Sequence, residues 1–94
     1  MLFFVKVRVD VNKLMEFGQK LQAGDLKTHP LSTYCLKDDA SVGLNIWEAE
    51  NRGAFEKAFA PYKEYYSEVM EIVPIITAQE AQKILVEQLI ERRG

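Results

Sequence analysis

Apolar and polar residues alternate at the start of the chain, and this alternation predicts a first β-strand from Phe3 to Asp10. Successive side chains of a strand point to opposite faces. One face is wholly apolar and carries Phe3, Val5, Val7 and Val9. The other face is mixed and carries Leu2, Phe4, Lys6, Arg8 and Asp10. The two sides of this strand therefore meet different surroundings.

A helical spacing of apolar residues follows this strand. Leu14, Phe17 and Leu21 fall on one stripe, which predicts a first helix. Asn12 is placed to cap its beginning and Gly24 to end it.

Two further strands are predicted from 30 to 37 and from 41 to 48, joined by a turn at 38–40 into a hairpin. In the later strand Val42, Leu44 and Ile46 share one face, while Gly43, Asn45 and Trp47 share the other. We expect the purely apolar set to face the helices.

The second half of the chain repeats the change from helix to strand. Asn51 is a plausible cap for a second helix, and Pro61 should break it or restart it as a short helix. A fourth strand is predicted from 69 to 76. The segment 77–80 is a capping box that opens a last helix, with Ala81, Ile84, Leu85 and Leu89 expected inward.

The order of these elements is β-α-β-β-α-β with an extra C-terminal helix. This order predicts an α+β, ferredoxin-like fold with an antiparallel sheet, formed by a single domain over residues 1–94. Pro30 and Pro74 both fall in predicted edge strands, where a missing N–H breaks no ladder. The prolines are therefore compatible with the topology.

The sheet face away from the first two helices is expected to carry Phe4, Lys6, Arg8, Asn45, Trp47 and Glu71. Tyr34 or Cys35 joins it, depending on the register of the second strand. A mixed face with large aromatic side chains marks an interaction surface. We expect a second copy to cover it, so that a homodimer or higher oligomer encloses a cleft. The last helix would cover either its own sheet or that of the partner.

Composition excludes several function classes. The net charge is -2, the wrong sign for non-specific binding to phosphate backbones, so we expect no nucleic-acid partner. The apolar opening is interrupted at Lys6, which indicates neither a membrane span nor a signal peptide, and we expect a cytoplasmic protein. With one Cys and one His, a metal site within the chain is not expected. No nucleotide-binding motif is present, and we expect no cofactor.

The opening Met1-Leu-Phe-Phe-Val-Lys-Val-Arg-Val-Asp-Val, the length and the element order resemble the dimeric α/β-barrel superfamily. Met1-Leu-Phe-x-Val5 in particular is similar to the start of the muconolactone isomerases. The resemblance implies a dimeric barrel, commonly with a pocket between sheet and helices. It transfers no catalytic residue, because the rest of the chain does not follow the isomerase pattern.

Lys6 and Arg8 are candidate ligands for the carboxylate of a small acid, Arg8 through a bidentate fork. An interface ion pair is the alternative role for both. Phe4, Asn45 and Trp47 would wall the same cleft, although large aromatic residues are more often part of a dimer core.

Three further residues are candidates for moving a proton. His29 has an ordinary pKa near neutrality, Tyr34 offers a hydroxyl, and Glu71 would become a base if buried. Each has a structural alternative: an exposed histidine, a packing tyrosine and a counter-ion of Arg8.

Two functional hypotheses follow. The first is a small homodimer that binds a small, anionic organic molecule in a cleft walled by the sheet, with cofactor-independent isomerase-like catalysis if it is an enzyme. The alternative is a non-catalytic dimerisation or binding module.

Overall fold

The structure, a computed structural model, describes residues 1–93 and shows an α+β fold with a four-stranded antiparallel sheet. Its strands are β1 (Leu2–Val9), β2 (Ser32–Cys35), β3 (Val42–Glu48) and β4 (Tyr66–Ile75). Its α-helices are α1 (Leu14–Ala23), α2 (Arg52–Phe59) and α3 (Ala78–Arg93), and 3-10 helices span Val11–Lys13 and Ala60–Tyr65. The strand order is β2-β3-β1-β4, which places β1 and β3 in the centre. This arrangement is compatible with the predicted ferredoxin-like pattern.

Local capping signals account for where several helices begin and end. Asn51 accepts a hydrogen bond from the backbone N–H of Ala54 at 2.8 Å, and Gly24 ends α1 in the left-handed region at φ 73°. The predicted Asn12 cap is wrong. Asp10 takes this role, because its carboxylate accepts from the Asn12 N–H at 3.0 Å and opens the 3-10 helix before α1.

The pairing of β1 with β3 decides which sheet face meets the helices. Phe3 lies opposite Trp47, Val5 opposite Asn45 and Val7 opposite Gly43, so all six share one face. We call this the covered face, because α2 and the segment after it pack on it. The prediction that Val42, Leu44 and Ile46 point to the helices is therefore wrong, and so is the placement of Asn45 and Trp47 on the opposite face.

Aromatic residues build the core on the covered face. Trp47 is 1% exposed and meets Phe55, Phe59 and Tyr62 edge to face, with ring centroids 5.2 to 6.1 Å apart. Phe3 stacks on Phe55 at 4.5 Å. A buried aromatic side chain removes about 150–250 Å² from water, more than Leu44 or Ile46 would contribute. Burial of Trp47 therefore outweighs the cost of placing Asn45 and Gly43 on the same side.

The last helix, α3, projects from the domain. Ile84, Leu85, Leu89 and their apolar neighbours are 46–64% exposed, so the prediction that these residues face inward is wrong within one chain. The radius of gyration is 16.7 Å, against about 13 Å for a compact domain of similar length. No helix within residues 1–93 has the length and apolar character that crossing a membrane requires.

Candidate functional site

A pocket of about 370 Å³ lies between the covered face of the sheet and the helical layer. We call it the sheet–helix pocket. The strands contribute Val7, Val9, Thr33, Cys35, Gly43, Asn45 and Tyr66, and the helices and the connection before β2 contribute Phe17, Leu21, His29, Pro30 and Tyr62. This volume falls within the usual range for small-molecule sites, about 300–1,000 Å³. The lining is mainly apolar, with a few polar groups converging on one space.

The local sequence explains why space remains there. Gly43 lies opposite Val7 on the covered face, and its missing side chain leaves space next to Val7 and Asn45. A Cβ atom at Gly43 would lie 3.4 Å from Cγ2 of Val7, an ordinary contact. On the helical side Phe17 is the main anchor of α1, stacking on Tyr65 at 4.8 Å, while Leu21 stays 42% exposed at the rim. The pocket therefore has a rigid floor in the sheet and a lightly anchored wall in α1.

Asn45 is the buried polar residue of the pocket. It is 2% exposed, and its Oδ1 atom has no hydrogen-bond partner among residues 1–93. Burial raises the pKa of the nearby Tyr66 hydroxyl to about 12, and a hydrogen-bonding interaction with the Asn45 side chain opposes this rise. Tyr66 is therefore a neutral hydroxyl at physiological pH. Asn45 and Tyr66 together place uncharged hydrogen-bonding groups in the pocket.

His29 lies at the pocket beside Tyr62, and their contact favours one tautomer of its ring. The Tyr62 hydroxyl donates its one proton to the Thr28 carbonyl at 2.6 Å and lies 3.3 Å from Nδ1 of His29. Because that proton is already engaged, a hydrogen bond in the second contact requires the hydrogen to be on Nδ1 of His29. In the neutral ring Nε2 is then the unprotonated, basic nitrogen. Burial also raises the pKa of Tyr62 above its ordinary value.

The other candidate residues lie on the opposite side of the sheet, which we call the open face. Phe4 and Lys6 point there from β1, and Glu71 lies opposite Lys6 in the register with β4. Tyr34 lies opposite Leu44, which settles the register of β2 and places its side chain, 68% exposed, on the open face. Phe4, Lys6, Tyr34 and Glu71 are thus separated from His29, Asn45 and Trp47 by the thickness of the sheet. The predicted single cleft is wrong.

Arg8 is engaged at the rim of the open face. Its Nη1 atom donates to Oδ2 of Asp39 and to Oγ of Ser41, each at 2.9 Å. Its Nε atom lies 4.0 Å from Oε1 of Glu68. The hydrogen bonds from Ser41 and Arg8 lower the pKa of Asp39 to about 2. Asp39 rather than Glu71 is the counter-ion of Arg8, and the pair ties the β2–β3 turn to β1.

The sequence offers Tyr62 and Tyr66 as lining for a ligand entrance between the second helix and the sheet, with core packing as the default interpretation, whereas sequence reasoning missed Gly43. Both tyrosines share a run with Tyr65, and helical spacing assigns this run to the core by default. A glycine inside a strand was the one sequence signal for open space at the pocket. Cys35 is exposed and lies at the pocket.

Residues 1–93 contain no group of three or more His, Cys, Asp or Glu side chains placed to hold a metal ion. Comparison with protein families, curated proteins and solved structures gives no match to this chain. The geometry of the chain itself therefore carries the functional argument.

Proposed function

We propose that this chain is a small-molecule-binding protein of ferredoxin-like fold that works as a homodimer, in the manner of the dimeric α/β-barrel superfamily. The ligand is a small organic molecule held in the sheet–helix pocket. The observation that carries the proposal is the pocket of about 370 Å³ whose lining includes the buried polar residue Asn45. An apolar pocket with a few convergent polar groups is typical of ligand sites. The sequence predicts an anionic ligand because of Lys6 and Arg8. Both residues lie on the open face, so they do not support an anionic ligand in this pocket.

Filling the pocket tests this function. Gly43→Val adds a β-branched side chain at the pocket floor, where it suits a strand and occupies the ligand's space. Gly43→Ala is the matched control, because its Cβ makes only an ordinary contact. Toluene and phenol serve as probes in ligand-observed NMR. Binding should be retained in the alanine variant and lost in the valine variant.

Two results contradict the proposal. The first is that neither probe binds the wild-type protein at millimolar concentration. The second is that both probes bind Gly43→Val as tightly as they bind the wild type. Circular dichroism must show that each variant is folded before binding is compared.

Homodimer formation is supported by two unpartnered surfaces in the same chain. The open face leaves Phe4, Leu44 and Ile46 only half-buried, and α3 makes no extensive contact with another element. Burying one large apolar side chain contributes about 1.5–3 kcal/mol. The helix is about 24 Å long and leaves the sheet at the end of an edge strand, so it can reach across a neighbouring sheet. A second copy supplies both complementary surfaces at once through a two-fold axis.

Sedimentation equilibrium at micromolar concentration tests the dimer. The wild-type protein should sediment at twice the 10.8 kDa chain mass. Leu85→Glu should shift it to monomer without unfolding it, since Leu85 is 62% exposed in the single chain. Met15→Glu on α1, where Met15 is 79% exposed, is the control and should leave the mass unchanged. A wild-type protein that sediments as a monomer contradicts this part of the proposal.

A second candidate function is cofactor-independent proton transfer, favoured by the His29–Tyr62 contact. The contact leaves Nε2 of His29 as a base beside an otherwise neutral pocket. A proton would pass from an acidic C–H of the ligand to Nε2 and return from there to carbon, which balances the step without a cofactor.

Phenylacetone in D₂O is a suitable probe for proton transfer. The protein should exchange its α-hydrogens for deuterium faster than buffer does, as measured by NMR, and His29→Gln should return the rate to that of buffer. The exposed Lys27 provides the control, Lys27→Gln, on the same segment. Equal rates for wild type and His29→Gln would leave the protein as a binding module without this activity.

A further inference from the structure

The unpaired oxygen of Asn45 restricts which molecule suits the sheet–helix pocket. Asn45 lies on a central strand with its backbone held by neighbours on both sides, so the side chain has little freedom to leave the pocket. Its Oδ1 is closed to bulk water and has no donor among residues 1–93. Leaving such a group unsatisfied costs more than a typical hydrogen bond contributes. Because Oδ1 exposes less than 1 Å² of surface, the amide group must turn towards the pocket before a ligand reaches this atom. A ligand that then donates an N–H or O–H to it removes the penalty.

The pocket also restricts the ligand's charge. Among its lining residues within 1–93 there is no Lys, Arg, Asp or Glu, and His29 lies at the rim. The cations Lys6 and Arg8 are on the far side of the sheet, and Arg8 already bonds Asp39. An anion in this lining would lose its hydration without gaining a cation, which is strongly unfavourable.

The walls favour a flat ring. Phe17 meets Tyr62 and Tyr66 edge to face, with ring centroids 5.8 and 6.1 Å apart, so aromatic faces and edges already line the pocket. Aromatic groups gain from offset or edge-to-face contact with such walls. The volume of about 370 Å³ exceeds that of an engineered cavity of about 150 Å³ that accepts benzene.

From these three features we infer that the sheet–helix pocket takes an uncharged aromatic molecule carrying a hydroxyl or N–H group, which donates a hydrogen bond to Oδ1 of Asn45 once that amide group turns towards the pocket. The inference rests on the proposed function and adds the chemical class of the ligand. It makes Asn45 the specificity-determining residue.

Four ring compounds separate these requirements in a binding titration followed by NMR. Phenol carries a donor, toluene carries neither donor nor acceptor, anisole carries an acceptor without a donor, and benzoate carries a negative charge. Asn45→Leu is the key variant, because it keeps the size of the side chain and replaces its polar end. A buried unpaired amide replaced by an apolar group of the same shape is expected to leave stability unchanged or raise it.

We expect the ratio of the toluene to the phenol dissociation constant to fall about tenfold from wild type to Asn45→Leu, which corresponds to about 1.4 kcal/mol. Using the ratio cancels the different hydration of the two probes. In wild type, phenol should bind more tightly than anisole and than benzoate.

The possible failures are distinguishable. An unchanged ratio in Asn45→Leu, or anisole binding as tightly as phenol, overturns the donor requirement and leaves small-molecule binding intact. Benzoate binding as tightly as phenol overturns the uncharged class. If no probe binds wild type, both the ligand class and the proposed function are wrong. The anisole and benzoate comparisons use the wild-type protein, so they remain decisive even if Asn45→Leu does not fold.

Discussion

Replacing Trp47 by alanine tests the orientation of the central strands on which the site depends. Trp47 is 1% exposed and contacts three aromatic rings of the helical layer. Truncating a buried aromatic residue to alanine typically costs about 3–5 kcal/mol. Small domains have a total free energy of unfolding of about 5–15 kcal/mol, so the variant should lose a large share of its stability. If Trp47 lay on the open face, as the sequence pattern predicts, the loss in the single chain would be far smaller.

Urea unfolding followed by circular dichroism measures this change, because the variant has no tryptophan fluorescence to follow. Protein concentration must be held fixed, since a dimer's apparent stability depends on it. Tyr34→Ala is the control: Tyr34 is 68% exposed on the open face, and its loss should change the free energy of unfolding by less than about 0.5 kcal/mol.

Trp47→Phe refines the test. Nε1 of Trp47 is buried without a hydrogen-bond partner in residues 1–93, and phenylalanine removes this unpaired donor while keeping most of the ring. We expect a clearly smaller loss than for alanine. Trp47 is the sole tryptophan, so the native tryptophan fluorescence of the wild type reports on this residue. Because Trp47 is buried, iodide should quench that fluorescence poorly. A loss below about 1 kcal/mol in Trp47→Ala, far under the usual cost of a buried aromatic truncation, would refute the assignment of the covered face.

Three further predictions concern local structure. Asp39 has a pKa of about 2 when folded and a higher one when unfolded, so the hydrogen bonds that it accepts from Ser41 and Arg8 stabilise the fold above pH 4, and this stabilisation is lost as the pH falls towards 2. Asp39→Asn should flatten the acid limb of a stability–pH curve, and an unchanged limb would contradict this. Asn51→Ala should cost about 0.5–2 kcal/mol in urea unfolding, because Ala54 loses the side-chain oxygen that caps α2. Gly24→Ala should lower the stability by about 1 kcal/mol or more, since an L-residue is strained at φ 73°, and equal midpoints would argue against that conformation.

Much of the local structure was accessible from the sequence. Alternation located β1 and β3, and Asn51, Gly24 and Thr77 marked the helix ends because capping depends on a few neighbouring residues. Thr77 accepts from the Glu80 N–H at 3.1 Å, as the capping-box spacing predicts. These signals depend only on residues that are close in the sequence, so they can be recognised without the tertiary contacts.

Tertiary structure alone decided which face of the sheet became the interior. Alternation shows that Gly43, Asn45 and Trp47 share a side, but the pattern is symmetric and leaves open which side meets the helices. The choice follows from the total burial of the aromatic core, to which Trp47 contributes most among these three. The same choice brings Asn45 to the sheet–helix pocket and carries Lys6 to the other face, because residues distant in sequence become neighbours only when the sheet and helices pack.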